Sequence, residues 1–196
     1  MKKIIFNDRY DLTKAVIEGR KTMMRWIISG GTLLPEDRIE YASICPDGFV
    51  NIIANGGRSF IDVKYSYKVG EIVAVAQNYS SFYNILDNTR PIPEGAGWDN
   101  KMFVRADLMP HQIRITGIRC EKLQDISDAD CLKEGINASN SHEIGYGIPW
   151  VYEFAGSKMV YYTPREAFAA LIDKVSGKGT WASNPWVVAY EFELVK

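Results

Sequence analysis

Most of the chain alternates hydrophobic and polar residues in short runs, which is the pattern of β-strands with one buried face. Gly, Pro, Asn and Asp residues, which favour turns, separate many of these runs. We therefore predict that strands dominate the structure. The predicted strands are Met1 to Phe6, Thr22 to Ile28, Ile39 to Ile44, Phe49 to Ala54, Ser59 to Tyr65, Ile72 to Ala76, Ile113 to Cys120 and Trp186 to Glu193.

Some of these strands carry further signals. The three between Ile39 and Tyr65 are joined by short Gly-containing turns, which predicts a β-meander. Ile72 to Ala76 is continuously apolar, so we expect a central strand buried on both faces. The alternation changes phase at Thr116-Gly117, which predicts a β-bulge. Trp186 to Glu193 alternates in the manner of a half-buried strand.

Three segments have helical spacing and helix end signals. They begin near Leu12, Ser127 and Thr163 and end at Gly19, Gly135 and Gly177. The third begins with a capping box, Thr163 to Glu166, and continues with an apolar stripe of Phe168, Leu171, Ile172 and Val175. Strands with about three helices predict an α+β fold. Residues 78–100 and 137–162 lack a steady period, and we expect loops there, with one short strand in the second.

Composition and charge exclude few functions. The 196 residues are 46% hydrophobic and 24% charged, as expected for one globular domain, and the net charge is −1. That balance excludes a polycation but neither a nucleic-acid ligand nor a small molecule. The longest apolar run, Ala167 to Ile172, is far shorter than the roughly 20 residues that span a bilayer. Lys2 and Lys3 precede too short an apolar stretch for a signal peptide, so we expect a cytoplasmic protein with no membrane contact.

Cysteine and histidine usage does not indicate a metal site or disulfides. Cys45, Cys120 and Cys131 are widely spaced, and we expect all three to be reduced thiols. Two histidines, His111 and His142, leave little material for a metal centre. The motifs of nucleotide-phosphate loops, zinc proteases and serine hydrolases are missing from the sequence. We therefore expect no metal and no cofactor.

One short motif allows two interpretations. In Gly19-Arg20-Lys21-Thr22 a helix end is followed directly by two cations and a hydroxyl. The cations can simply interact with the negative end of the helix dipole. Alternatively, a lysine at a strand entry that is partly removed from water can act as a base or nucleophile, or can bind a phosphate. The local sequence does not decide between them.

Several blocks, taken together and in order, resemble the ASCH domains, which are PUA-related β-barrels, and in particular those encoded in phages and prophages. The resemblance reaches from near the first residue to near the last. The blocks are Ile4 to Asn7, Ala15 to Thr22 with Arg25, Val69 to Ile72, Met109-Pro110, Glu121 to Ser127 with Glu134 to Ile136, Trp181, and Asn184 to Trp186.

The resemblance implies a fold. We expect a PUA-like, ASCH-type mixed β-barrel flanked by about three helices, with the β-meander and loop insertions added. Residues 1–196 would then form a single ASCH-like domain with insertions at about 30–67, 78–100 and 137–162. A cleft beside the helices would hold the ligand.

The resemblance also implies candidate site residues. Some compact ASCH proteins are amidohydrolases that deacylate N4-acetylcytidine, with a Lys, a Thr three residues later and a Glu in a later helix. Carried over, the Lys is Lys21 and the Glu is Glu134, but the Thr position holds Met24. A thioether has no exchangeable proton, and Thr22 would lie on the opposite strand face from Lys21. Ala74 to Gln77 also lacks a cation and a carboxylate that phage-type relatives tend to have.

These departures favour binding over hydrolysis. Our first hypothesis is an RNA or modified-nucleotide binding module whose ligand lies in a cationic cleft near Arg20 and Lys21. Such a cleft would offer cations for phosphate and an aromatic face for a base. The candidate ligand-binding residues are Arg20, Lys21, Thr22, Arg25, Arg105 and Trp98, with Lys101, Trp26 and Tyr79 as further candidates, whereas we expect Trp181 and Trp186 in the core.

Two other hypotheses remain open. The first is an amidohydrolase that deacylates N4-acetylcytidine or a similar small amide with catalytic Lys21 and Glu134. A Ser or Thr near Lys21 in space, in the place vacated at Met24, would favour it. The second is a phage accessory protein whose insertions bind a protein partner.

Overall fold

The computed structural model describes residues 1–29, 38–57, 59–83, 95–140 and 150–195, with the backbone alone for residues 59–62. These residues form a mixed α+β structure, as the sequence predicts. The strands are β1 (Lys2–Ile4), β2 (Met23–Ile27), β3 (Ile39–Ile44), β4 (Phe49–Ala54), β5 (Ser59–Lys64), β6 (Ile72–Val75), β7 (Gln112–Lys122), β8 (Asn137–Asn140), β9 (Trp150–Glu153) and β10 (Trp186–Leu194). The helices are α1 (Leu12–Ile17), α2 (Asp128–Lys133), α3 (Pro164–Ser176) and α4 (Thr180–Ser183).

The main sheet has five strands in the order β1-β6-β7-β10-β2. β1 pairs parallel with β6, and the other neighbours are antiparallel. β6 is an interior strand between β1 and β7 rather than the middle one, and Val73, Ala74 and Val75 are fully buried, which confirms the expected two-sided burial. Within the described residues no sheet closes on itself, so the expected barrel is not observed there.

The predicted meander forms a separate sheet of β3, β4 and β5. Its strands match the predicted bounds to within one residue because each is delimited by a turn that the local sequence specifies. Val50 and Ile52 of β4 are fully buried and belong to the same hydrophobic core as the main sheet. The Trp186 indole N–H donates to the Ile39 carbonyl and joins the two sheets.

The bulge prediction is confirmed, but the prediction for the last strand is only partly correct. Glu191 pairs with Gly117 and Phe192 with Ile115, so Thr116 is the extra residue. β10 is not half-buried between Val187 and Tyr190, where both faces are covered. It lies between β7 and β2, and Val188 and Tyr190 face the meander. A strand covered on both sides shows less polar alternation than an edge strand.

The helix ends follow the predicted signals. Ser127 accepts a hydrogen bond from the Asp130 backbone, and Thr163 and Glu166 form the complete capping box. The fourth helix, α4, was not predicted. The Asp173 carboxylate accepts hydrogen bonds from the Gly179 and Trp181 backbone N–H groups and so holds this short turn beside α3. As expected, Trp181 and Trp186 pack against the main core.

The predicted loop regions are partly described. Residues 137–162 contain two paired strands, β8 and β9, where one was expected. The described part of 78–100 contains 3₁₀ turns that pack with Ala74, Ala76 and Met109 in a second apolar cluster. Residues 30–37, 58, 84–94, 141–149 and 196, which include parts of the expected insertions, lie outside the described residues. No helix in the described part of the chain has the length and apolar character to cross a membrane.

Candidate functional site

A cavity of about 400 Å³ lies beside the start of β2. Apolar side chains from β1, α1, β2 and α3 form most of its wall, and the apolar stripe of α3 forms one side. The charged residues that line it are Lys21, Arg25 and Glu134. The apolar lining of the cavity includes Ile5, Phe6, Leu12, Met24, Trp26, Phe168, Leu171 and Val175.

Backbone hydrogen bonds bring Lys21 to Glu134, although 113 positions separate them in the sequence. α1 ends at Ile17, and the positive φ of 72° at Gly19 turns the chain so that the Lys21 N–H donates to the Ala15 carbonyl. The next N–H group, on Thr22, donates to the Lys133 carbonyl at the end of α2. The motif after α1 is thereby joined to the residue just before Glu134.

Gly135 allows this close approach. Its φ is +102°, and a Cβ there would lie 3.2 Å from Leu12 Cδ2 and 3.7 Å from Lys21 Cδ. A side chain at this position would therefore crowd Leu12 and contact Lys21, in a backbone conformation that favours glycine. The glycine that ends α2 thus also positions Lys21 against the helix end.

The Lys21 amine is almost completely buried. Its side chain is 4% exposed, and Nζ donates to Glu134 Oε2 at 2.6 Å and to the Glu134 carbonyl at 2.9 Å. Nζ also lies 5.9 Å from the centre of the Phe6 ring. Burial lowers the pKa of Lys21 from its ordinary value; the ion pair with Glu134 opposes this shift and the charge of Arg25 adds to it.

Glu134 connects Lys21 to Arg25. Its second oxygen, Oε1, accepts a hydrogen bond from Arg25 Nη1 at 2.8 Å. Arg25 in turn donates from Nε and Nη2 to Glu121 Oε1 at 2.9 and 2.7 Å, and its side chain is 1% exposed. Arg25 is therefore held by Glu134, directly after α2, and by Glu121 of β7, and it also pairs with Asp130 Oδ2 at 3.5 Å.

The ion-pair network continues from Arg25 toward the surface. Arg119 donates to Glu121 and Glu191, and it also pairs with Asp130. Arg25 and Arg119 both pair with Ala189 of β10, so they stand in one row of the sheet. The small Ala189 side chain leaves room between them for the carboxylates. The cations around the cavity are thus neutralised by neighbouring anions.

Among the remaining candidate residues, Trp26 lines this cavity and the others do not. Arg20 and Thr22 line a shallow groove of about 420 Å³ formed with Lys133, Ile136 and Asn137. Arg20 donates to Glu18 and Asn137 there. Thr22 lies apart from the Lys21 side chain, as the strand alternation predicts.

Arg105 and Trp98 lie in another part of the molecule. The Arg105 side chain is 70% exposed and pairs with Asp107, and Trp98 packs against the second apolar cluster. Tyr79 is buried in that cluster, so it is not the stacking face that the sequence suggested. Lys101 is held by Asp8 and the Phe6 carbonyl. The predicted ligand-binding residues therefore lie in three separate parts of the molecule: the cavity, the shallow groove and the region of the second apolar cluster.

The resemblance places the Thr of a catalytic set at the position of Met24. The described lining residues offer no hydroxyl at that position. Met24 itself is buried and lines the cavity with Lys21 and Glu134. Among the described lining residues, the one hydroxyl belongs to Ser176, at the exposed end of α3. The described residues contain no group of three or more His, Cys, Asp or Glu that could hold a metal ion.

Two features of the site were not predicted from the sequence. The apolar stripe of Phe168, Leu171, Ile172 and Val175 was assigned to the core, and it also forms a cavity wall. Glu121 was recognised only as part of a sequence block, whereas it is the main partner of Arg25. A charged residue within a strand beside buried neighbours was the available signal for Glu121.

Comparison of the chain with family models, with curated proteins and with solved structures finds no match. The geometry of the cavity and the sequence blocks therefore carry the functional argument.

Proposed function

We propose that the chain is a PUA-like, ASCH-type domain that binds one modified nucleoside, without its phosphate, in the cavity beside Lys21. The observation that carries this proposal is the cavity itself. It has about 400 Å³, mostly apolar walls and a buried Lys21–Glu134 pair. Small-molecule sites typically combine a volume of this order with a few polar groups that fix orientation.

The lining offers complementary contacts for a nucleoside. Trp26, which is 39% exposed, and the rings of Phe6 and Phe168 provide apolar faces for a base. Two of the three Lys21 N–H groups donate to Glu134, and among the described residues the third has no acceptor. That N–H group is available to a carbonyl oxygen of the base or of its acyl substituent.

The charge distribution favours a ligand without phosphate. The solvent-exposed part of the lining is apolar and is formed by Ile5, Ile27 and Val175. Arg25 is bound by Glu121 and Glu134, and Arg20 lies in the shallow groove. A phosphate would therefore lose its water without gaining an unpaired cation. This refines the first sequence hypothesis from RNA or a modified nucleotide to a single nucleoside.

Binding of three matched ligands tests the proposal. We expect N4-acetylcytidine to bind more tightly than its 5′-monophosphate or a short single-stranded RNA in calorimetric titrations, with little dependence on salt. Lys21→Met should weaken nucleoside binding about tenfold or more, because a hydrogen bond to a charged donor is lost. Arg20, the exposed cation next to Lys21 in the sequence, supplies the control. The Arg20→Ala variant should bind the nucleoside as tightly as the wild type. Tight, salt-dependent RNA binding that requires Arg20 would contradict the proposal.

A second candidate function is hydrolysis of the acyl amide, and the contact between Lys21 and Glu134 beside Met24 favours it. A buried amine with a lowered pKa, next to a carboxylate, is suited to proton transfer. The described lining places no hydroxyl at Met24, so the proton-accepting pair lacks a nucleophile to activate.

Met24→Thr is therefore expected to raise the rate of cytidine release from N4-acetylcytidine by about a hundredfold, the contribution that a positioned proton-transfer pair typically makes. Release is followed by chromatography. Met24→Val is the matched control, because it has the same branched shape without the hydroxyl. Equal rates in both variants would show that Lys21 and Glu134 do not activate a hydroxyl at this position.

A further inference from the structure

Lys21 is the one amine among the described residues that line the cavity, and it is reached from there rather than from bulk solvent. Its side chain is held by Glu134 at one side, while Phe6, Leu12 and Met24 supply apolar surroundings. Lys14, whose side chain is 63% exposed, provides a solvent-accessible lysine for comparison. Only a neutral amine attacks a carbonyl carbon, so the cavity sets Lys21 apart chemically.

We propose that Lys21 is a covalent site that forms an imine with small, uncharged aromatic or apolar aldehydes that enter the cavity. The proposal uses the same cavity as the proposed function but does not depend on recognition of a nucleoside. Burial lowers the pKa of Lys21, which increases the neutral fraction of the amine and supports this assignment.

The reaction balances without an oxidant, a reductant or a cofactor. The Lys21 ammonium first gives a proton to the Glu134 carboxylate, which is 2.6 Å away. The nitrogen lone pair then forms a C–N bond to the aldehyde carbon, and the C=O π pair moves to oxygen, which takes up the proton. The nitrogen of the resulting carbinolamine loses a second proton to that oxygen, and the C–O bond breaks with release of water.

The product is a C=N bond between Lys21 and the aldehyde carbon. The third proton of the original ammonium stays on this nitrogen, so the product is an iminium with the same positive charge as the ammonium. Glu134 then remains its counter-ion, so the buried charge balance of the site is unchanged. An apolar entrance and the absence of an unpaired cation among the described lining residues favour an aldehyde that carries no charge of its own.

Reductive trapping tests this site directly. The wild-type protein is incubated with benzaldehyde and sodium cyanoborohydride, which reduces an imine to a stable benzylamine, and the modified lysines are located by peptide mass spectrometry. We expect about tenfold or more adduct on Lys21 than on Lys14, because the cavity holds the aldehyde carbon beside the Lys21 amine, whereas Lys14 meets the aldehyde only from bulk solution. Para-carboxybenzaldehyde, which differs by one charge, should label Lys21 much less.

Two controls separate the cavity from intrinsic reactivity. In urea the preference for Lys21 should disappear, because the unfolded chain exposes every lysine equally; this control needs no variant. Lys21→Met should lose the main adduct, whereas Lys14→Met should keep it. Labelling of surface lysines with Lys21 unmodified would overturn the proposal. Because nucleoside binding is measured separately, failure of imine formation and failure of the proposed function are distinguishable.

Discussion

Replacement of Arg25 by methionine is expected to destabilise the protein by about 3 kcal/mol, the lower end of the cost of breaking a buried ion pair, because Glu134 and Glu121 each lose one of the two cations they bind. The Arg25 side chain is 1% exposed and binds both Glu121 and Glu134, and methionine of similar length cannot donate to either. Glu134 would keep Lys21 as a partner, whereas Glu121 would keep Arg119. The free energy of unfolding from urea denaturation at neutral pH measures the loss.

Arg20→Met supplies the matched control for Arg25→Met. Arg20 also pairs with a glutamate, Glu18, but its side chain is 40% exposed. A solvent-exposed ion pair contributes about 0–1 kcal/mol, so the control should lose no more than that. Similar losses in the two variants would show that the Arg25 ion pairs are exposed to water. That result would contradict a cavity whose cations are neutralised by buried carboxylates.

Phe168→Ala is expected to cost about 3–5 kcal/mol and also to change ligand fit, because Phe168 belongs to both the core and the cavity wall. The ring is 2% exposed, packs edge-on against Trp181 and lies 5.9 Å from the Arg25 guanidinium carbon. Its removal enlarges the cavity and takes away an apolar face for the base. Nucleoside binding should therefore weaken even at temperatures where the variant remains folded.

Val175→Ala, on the same stripe of α3, is the control for this prediction. Val175 is 40% exposed at the end of the helix, so its truncation should cost less than about 1 kcal/mol. Thermal unfolding followed by circular dichroism, together with titration of N4-acetylcytidine into each variant, separates the two effects. Unchanged nucleoside affinity in Phe168→Ala would place the ligand away from this wall.

Much of the local structure could be predicted from the sequence because its causes are local. The α3 capping box, the meander turns and the bulge at Thr116 each depend on a few adjacent residues, and the structure has them at the predicted places. The full burial of Val187 to Tyr190 could not be predicted, since it depends on which elements cover β10. The barrel expectation came from the resemblance, not from any local signal.

The candidate site was predicted in part. Lys21 and Glu134 were paired by the resemblance, and they are in contact in the structure. The Arg25–Glu121 pair depends on the placement of β2 and β7 on either side of β10. The two residues are 96 positions apart in the sequence, so no short pattern encodes their contact. Similarly, adjacent cations need not share a surface. Arg20 and Lys21 are consecutive, yet one lies in the shallow groove and the other in the cavity.

The most direct test of the central claim is the location of a bound nucleoside. The protein is labelled at the methionine methyl groups, and intermolecular nuclear Overhauser effects from N4-acetylcytidine are measured by NMR. The account predicts contacts from the base to the Met24 methyl group and to the Trp26 ring, and their loss in Phe168→Ala. Contacts confined to the groove around Arg20 and Thr22, with Met24 unaffected, would contradict it.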